Sequence, residues 1–282
     1  MEQVILRYDG EALVEHSMNL KLVADSLQGI EALVREVHEE MGGKEEELNL
    51  QIKGGFQKGS FEFLFTLGQQ LPDGIELLKI IGFGSPIAAG SLMAYLEWLK
   101  GKKIQKITMT EEGDCKIVTE DGEDKVAPSY MRPLLASTSV RGAFSKIISK
   151  PLRDSGIEVF EALSTEEKKA DRTQYVSVTT ANEKNYRAKN TTVIDLIDNK
   201  PMDEKVITFL TVHKDKDTSW RVEDVDGITY TVKMEDEDFL ANFRKGNEPD
   251  IFVNAYAVEI VEKENTINLD KTYSIVKVYA PE

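Results

Sequence analysis

The run IIGFGSPIAAGSLMAYL, residues 80–96, carries no charge in a chain of which 30% is charged, and a segment of that kind has two uses. It crosses a bilayer or it is buried in a protein core. A helix of this length reaches about 26 Å, a little short of a hydrocarbon core of about 30 Å. Extension to residues 74–99 supplies the reach but brings in Glu76, Lys79 and Glu97, which must then lie among headgroups or face a polar interior. Tyr95, Trp98, Lys100, Lys102 and Lys103 form the aromatic and basic flank of a cytoplasmic membrane boundary. Pro86, with the glycines and serines around it, works against one straight helix. On these residues both readings stay open, a transmembrane span and a core helix with a broken start.

With 282 residues the chain has material for two domains, or one with elaborations, and for an ordinary core. Its formal net charge is −15 and its pI about 4.8, so attraction to nucleic acid or anionic lipid must be local. One cysteine, Cys115, and no basic and apolar leader point to a reducing cytoplasmic setting for the soluble mass.

The expected fold class is α+β in four segments. Residues 1–73 read as a strand, a long helix and a hairpin. The strand VILRYDG ends at Asp9-Gly10, and apolar residues from Leu20 through Ile30, Val34 and Val37 to Met41 recur at steps of three and four. Ser17 or Asn19 is the candidate cap, Gly42-Gly43 the stop, and the stripe suits packing on neighbouring strands or a subunit interface. The runs 48–53 and 60–67, joined through GGFQKG, read as a hairpin. Residues 74–100 hold the apolar segment. Residues 101–189 begin with a second hairpin, 103–110 and 115–120 across EEGD. The helix VRGAFSKIISK follows, then a strand at 158–163 and a polar connector at 164–189. Residues 190–282 show short strands at 191–197, 205–213, 219–223, 228–233, 250–260 and 272–279 with one helix at 236–244, the pattern of a small SH3-like or OB-like β-barrel.

Signals for catalysis are nearly absent, and no enzyme is expected. His16, His38 and His213 lack partners at metal-ligand spacing, Cys115 lacks cationic neighbours, and neither GGFQKGS nor IIGFGS matches a phosphate-loop or dinucleotide pattern. Neither a metal nor a cofactor is expected. Residues 125–153 stand apart, with Lys125, Arg132, Arg141, Lys146, Lys150 and Arg153 and no acid, although the chain holds 50 acidic residues. Tyr130, Ser137 and Ser139 precede or open the predicted helix, so cations, hydroxyls and helix N–H groups suit an anion such as phosphate, with Tyr130 or Phe144 for base stacking. The alternatives are pairing with the acidic surface or with lipid headgroups. Trp220 beside Arg221 reads as a barrel core anchor, with Arg221 pairing Glu223 or Asp224, and alternatively as a stacking platform.

LRYDGEALVEHSMN, GGFQKGSFEF, EWLKGKKI, VRGAFSKIISKPL and WRVEDVDG, in this order across nearly the whole chain, resemble a family of uncharacterised bacterial proteins encoded near defence genes. The set is also similar to the membrane-effector family of the Hailong anti-phage system. That resemblance implies a homo-oligomeric, channel-forming effector in the bacterial inner membrane with cytoplasmic domains, touching membrane lipid. It implies control by a nucleotide or short single-stranded DNA oligomer that a partner nucleotidyltransferase supplies. None of the quoted motifs is catalytic, and the resemblance assigns no residue roles. In a pore, Gly84 with Ala88 and Gly90 with Ala94 are small-residue pairs for close helix approach, while Glu76, Lys79 or Glu97 faces an axis and Trp98 anchors the interface. The alternative is a cytoplasmic nucleotide- or oligonucleotide-binding module whose apolar segment is core.

Overall fold

The computed structural model describes residues 1–279 apart from 16, 58–59, 70, 72–74, 87–89 and 166–170, with no side chains described at 54–57. His16, Ala88 and the hairpin turn at 58–59 therefore lie outside the described residues. The chain forms two compact units, Met1–Ile194 and Asp195–Glu282.

The first unit starts with β1 (Glu2–Asp9), whose alternation turns Val4, Leu6 and Tyr8 into the core. Helix α1 (Leu20–Glu40) is capped by Asn19, whose side chain accepts from the Lys21 N–H at 2.9 Å, and ends at Met41 before the left-handed Gly42. Its buried face runs through Ser26, Gly29, Ile30, Leu33, Val34 and Val37, while Leu20 is exposed. Strands β2 (Asn49–Gln57) and β3 (Ser60–Gly68) form the expected hairpin, in register from Asn49 opposite Gly68 to Gln57 opposite Ser60. Two short helices follow, α2 (Leu77–Ile81) and α3 (Leu92–Leu99). A three-stranded meander comes next, β4 (Ile104–Met109), β5 (Cys115–Thr119) and β6 (Asp124–Ala127). Helices α4 (Met131–Ala136) and α5 (Thr138–Phe144) lead through a π-turn at Ser145–Ser149 into α6 (Lys150–Leu152). Strands β7 (Val159–Leu163) and β8 (Gln174–Thr179) complete an antiparallel sheet of order β2-β3-β1-β7-β8. Strand β8 lies in what reads from sequence as connector.

Helices α1 and α5 pack on each other, and the Tyr8 hydroxyl donates to the Ile147 carbonyl at 2.7 Å, tying β1 to the π-turn. A chain of rings crosses the core: Tyr8 lies 5.4 Å from Phe160, Phe160 5.9 Å from Phe83, Phe83 6.3 Å from Phe144 and Phe144 6.0 Å from Tyr186. Phe83 belongs to the apolar run. On the other face of the sheet Arg7 lies opposite Glu62 on one side and Glu161 on the other, pairing with Glu161, while Glu62 pairs with Arg172 at 3.1 Å.

The single-span reading of residues 80–96 is corrected here. The run is broken at Gly82, the left-handed C-cap of α2, and among the described residues the next helix is α3, capped by Ser91. The N–H groups of Gly82, Phe83 and Gly84 all point at the Leu78 carbonyl, at 3.0, 2.7 and 2.9 Å. Leu77, Leu78, Ile81, Phe83, Leu92, Met93, Tyr95, Leu96 and Leu99 are all buried in the unit's own core. Among the described residues no helix is long and apolar enough to cross a membrane.

The second unit comprises β9 (Ile197–Pro201), β10 (Lys205–Thr211), β11 (Trp220–Asp224), β12 (Thr229–Met234), α7 (Glu237–Arg244), β13 (Ala255–Asn265) and β14 (Lys271–Val278). Five strands close a barrel in the order β10-β11-β12-β14-β13 and back to β10, while β9 adds to the outside of β13. Only β12 and β14 run parallel. Trp220 is fully buried between Phe209 and Phe243, its indole N–H donating to the Lys216 carbonyl at 3.0 Å, so it is the core anchor. Asp224 pairs with Lys205 at 2.8 Å and accepts from the N–H groups of Asp226 and Ile228. Arg221 is thus not its partner. Asp236 caps α7 through the Phe239 N–H at 3.0 Å and accepts from the Val278 N–H at 2.9 Å, joining the helix to β14.

Three outcomes follow from this packing. At Gly82, with φ +106°, a Cβ would stand 2.9 Å from the Met93 Cβ and 3.0 Å from the Ser91 hydroxyl. Gly82→Ala should therefore lower stability in urea by about 2 kcal/mol or more. Loss of the cap and an orphaned Val278 N–H should make Asp236→Ala cost about 2 kcal/mol, read in the same way. The Asp224 carboxyl is held below its ordinary range by Lys205 first and then by the Ile228 N–H. Stability from that shift is present above pH about 4 and lost as pH falls through the lowered value. Thermal melts at pH 7 and pH 3 should thus show a smaller acid-induced loss in Asp224→Asn than in the wild type.

Candidate functional site

Two of the six cations of the 125–153 window, Lys125 and Lys150, have side-chain partners inside the chain. Lys125 Nζ sits over the rings of Tyr95 and Trp98, at 4.9 and 5.8 Å from their centres. Lys150 pairs with Asp25 at 3.1 Å, and Arg153 is exposed beside it. Lys146 is half-buried, with its carbonyl accepting from the Ser26 hydroxyl at 3.3 Å. Ser137 caps α5, accepting from the Val140 N–H at 3.1 Å, and donates its own proton to the Glu36 carboxylate. The start of α5 is thus already served by an anion of this chain, and the phosphate seat expected there is not open. Ser139 is exposed without that geometry, and Phe144 is fully buried and closed to a base.

Two arginines differ from the rest. Arg141 is 1% exposed, and among the described residues its Nε, Nη1 and Nη2 have no hydrogen-bond partner. Burial pushes its guanidinium down to about 10. An arginine this deep is normally bound to a carboxylate, a carbonyl or a ligand oxygen. Arg132, on α4, also has Nε and Nη1 buried without a partner. Its charge acts on Cys115 and Glu40. Burial raises the Cys115 thiol to about 11 against the pull of Arg132, so this thiol is not an activated nucleophile. Partial burial likewise raises the Glu40 carboxyl, with Arg132 opposing it.

Near Glu40 a cavity of about 500 Å³ is lined by Met41, Ile75, Lys79, Ile80 and Tyr130. Tyr130 is the one window residue in its wall. A second hollow of about 400 Å³ is bordered by Asn19, Lys21, Asp25, Lys150, Arg153 and Asp154, where opposite charges alternate.

The residues expected to line a pore serve internal contacts. Glu76 and Lys79 pair with each other. Gly84 and Gly90 fall in non-helical backbone, so neither small-residue pair lies along a helix, and Ala88 lies outside the described residues. Ala94 donates its N–H to Ser91 at the start of α3. Glu97 accepts from Asn182 Nδ2 at 3.1 Å, Asn185 Nδ2 at 2.8 Å and the Tyr186 hydroxyl at 2.6 Å, which makes it a clamp on the 3₁₀ turn Glu183–Tyr186. Trp98 packs under Lys125, and Lys102 pairs with Asp121 and, at 3.3 Å, with Glu123, so the aromatic and basic flank is used within the fold.

Glu36, Glu40, Met41, Ile75 and Ile80 carry no local signal, since they join the window only through the packing of α1 against α4 and α5 and of α2 against α1. Among the described residues no group of three His, Cys, Asp or Glu side chains is placed to hold a metal. No protein-family model, curated protein or solved structure matches the chain.

Proposed function

We propose that this protein is a ligand-controlled effector of bacterial anti-phage defence whose first unit binds a nucleotide or short DNA oligomer through Arg141 and Arg132. The observation that carries the reading is Arg141, a buried guanidinium with no hydrogen-bond partner in a stretch of 29 residues without an acid. A buried cation without a counter-charge costs several kcal/mol, and a phosphate oxygen pair supplies the bidentate acceptor it lacks. Because Arg141 is sealed from solvent, a phosphate reaches it only when the packing around α5 opens. Binding is therefore coupled to a conformational change, which is what an effector needs from its ligand.

The sequence resemblance supports the setting: a homo-oligomer at the membrane, with a partner nucleotidyltransferase supplying the ligand. That setting rests on the resemblance alone, and the 80–96 run has no part in it as a span. The barrel adds a second line of support. Its strand order, with a helix between the third and fourth strands and the third and fifth parallel, is the connectivity of an OB fold, a type used for oligonucleotides. Its acidic residues outnumber its basic ones, and on the outer face of β11 and β12 Lys233 is already paired with Asp217 and Glu235. The phosphate-binding role therefore falls to the first unit.

Replacing Arg141 by Met tests the reading through opposite effects on stability and response. The ligand-free variant should melt at a higher temperature than the wild type, because an unpaired charge is exchanged for an apolar side chain. Short single-stranded DNA and free nucleotides should raise the wild-type melting temperature, more at low salt than at high, and leave that of Arg141→Met unmoved. Equal responses in the two proteins, or none in the wild type to any nucleotide or oligomer, would overturn the assignment.

A further inference from the structure

We infer that the cavity between Glu40 and Tyr130 is a nucleobase pocket that favours bases bearing an exocyclic amine over thymine. The inference rests on the nucleotide-binding reading above and adds the part of the ligand that the first unit selects. The cavity, at about 500 Å³, has room for one base with its sugar. Its walls have the composition such a ligand needs. Met41, Ile75 and Ile80 offer flat-fitting apolar surface, and Tyr130 offers a ring for stacking. The polar groups are unequal. Lys79 and Glu76 pair with each other and are half exposed, so their charges largely cancel.

Among the described residues Glu40 is the other carboxylate in the wall, and a carboxylate only accepts hydrogen bonds. It therefore matches the amino group of adenine, cytosine or guanine and opposes the O4 carbonyl of thymine. Arg132 stands two residues beyond Tyr130, close enough for its charge to act on Glu40, and its Nε and Nη1 are buried without partners. A base stacked on Tyr130 with its amine on Glu40 brings its own phosphate to this neighbourhood, and Arg132 supplies the donors to receive it. The second unpartnered arginine in the window, Arg141, is then left for a neighbouring phosphate of an oligomer.

The test uses the full chain and fluorescence anisotropy with 5′-labelled tetramers of deoxyadenosine, deoxycytidine and deoxythymidine. The wild type should bind the adenine and cytosine tetramers about tenfold tighter than the thymine tetramer. Glu40→Leu should bring the three within about twofold of one another. Tyr130→Ala should weaken all three about tenfold, while Tyr130→Phe, which keeps the ring, should bind like the wild type. Far-ultraviolet circular dichroism and the melting temperature of each variant establish that it is folded, and Tyr130→Phe serves as the conservative control. Binding with no preference among the tetramers, or a preference unchanged in Glu40→Leu, would overturn the base pocket and leave the nucleotide-binding reading standing. Absence of binding by any tetramer to the wild type would overturn both.

Discussion

The carbonyl of Leu78 receives three backbone N–H groups in succession, from Gly82, Phe83 and Gly84, and the first unit is arranged around that reversal. A helix continuing from α2 would carry Phe83 away from the sheet. With the chain turned at Gly82, Phe83 instead enters the row of rings between Phe160 and Phe144 and links β7 to α5. Two glycines are needed because the backbone is both left-handed and crowded. At Gly84 a Cβ would lie 2.9 Å from the Lys79 nitrogen. The apolarity of this stretch is thus spent on a core, and its helices are too short to serve elsewhere at the same time.

That core sets the terms for Arg141. Helix α5 packs on α1 at Gly29, where a Cβ would be 2.9 Å from the Ala143 carbonyl, and Phe144 points into the ring row. A helix held on two sides has little freedom to turn an arginine out to water. The guanidinium stays inside without a partner, at a cost that hydrophobic burial around it must offset. Stability alone favours an apolar residue there, and the proposed ligand oxygen would supply the partner that the guanidinium lacks.

Much of the architecture was legible in the sequence, and the failures have physical causes. Alternation and turn residues located the strands from β10 to β14 and the helix α7, because the strands of a small closed barrel alternate between a buried inner face and an exposed outer one. The stripe on α1 was legible in part: Ile30, Val34 and Val37 are buried as expected, whereas Leu20 is exposed and the buried face takes in Ser26, Gly29 and Leu33 instead, and of the two candidate caps, Ser17 and Asn19, it is Asn19 that caps the helix. Strand β8 was lost in a polar connector because only Val176 and Val178 face the core. The 80–96 run misled because composition does not distinguish a lipid-facing helix from a buried one. Gly82 and Pro86 were visible, but their consequence depends on the long-range fit of Phe83. At the site, the basic window stood out, yet no local pattern shows that Glu36 occupies the start of α5 or that Glu40 lies 90 residues before Tyr130 and still shares its cavity.

A net charge of −15 and a phosphate-bearing ligand are compatible once range is considered. Repulsion from the acidic surface acts over about a Debye length, roughly 8–10 Å in physiological salt, whereas charge-assisted hydrogen bonds act at contact. A phosphate seated on Arg132 or Arg141, as proposed, would gain contact energy, while every phosphate beyond them would meet only the repulsive field. A long polymer accumulates the second effect without adding to the first. On the proposed reading the acidic surface would select for shortness: a nucleotide or a few linked nucleotides would fit the two arginines, while extended DNA or RNA would meet the repulsion of the surrounding acids.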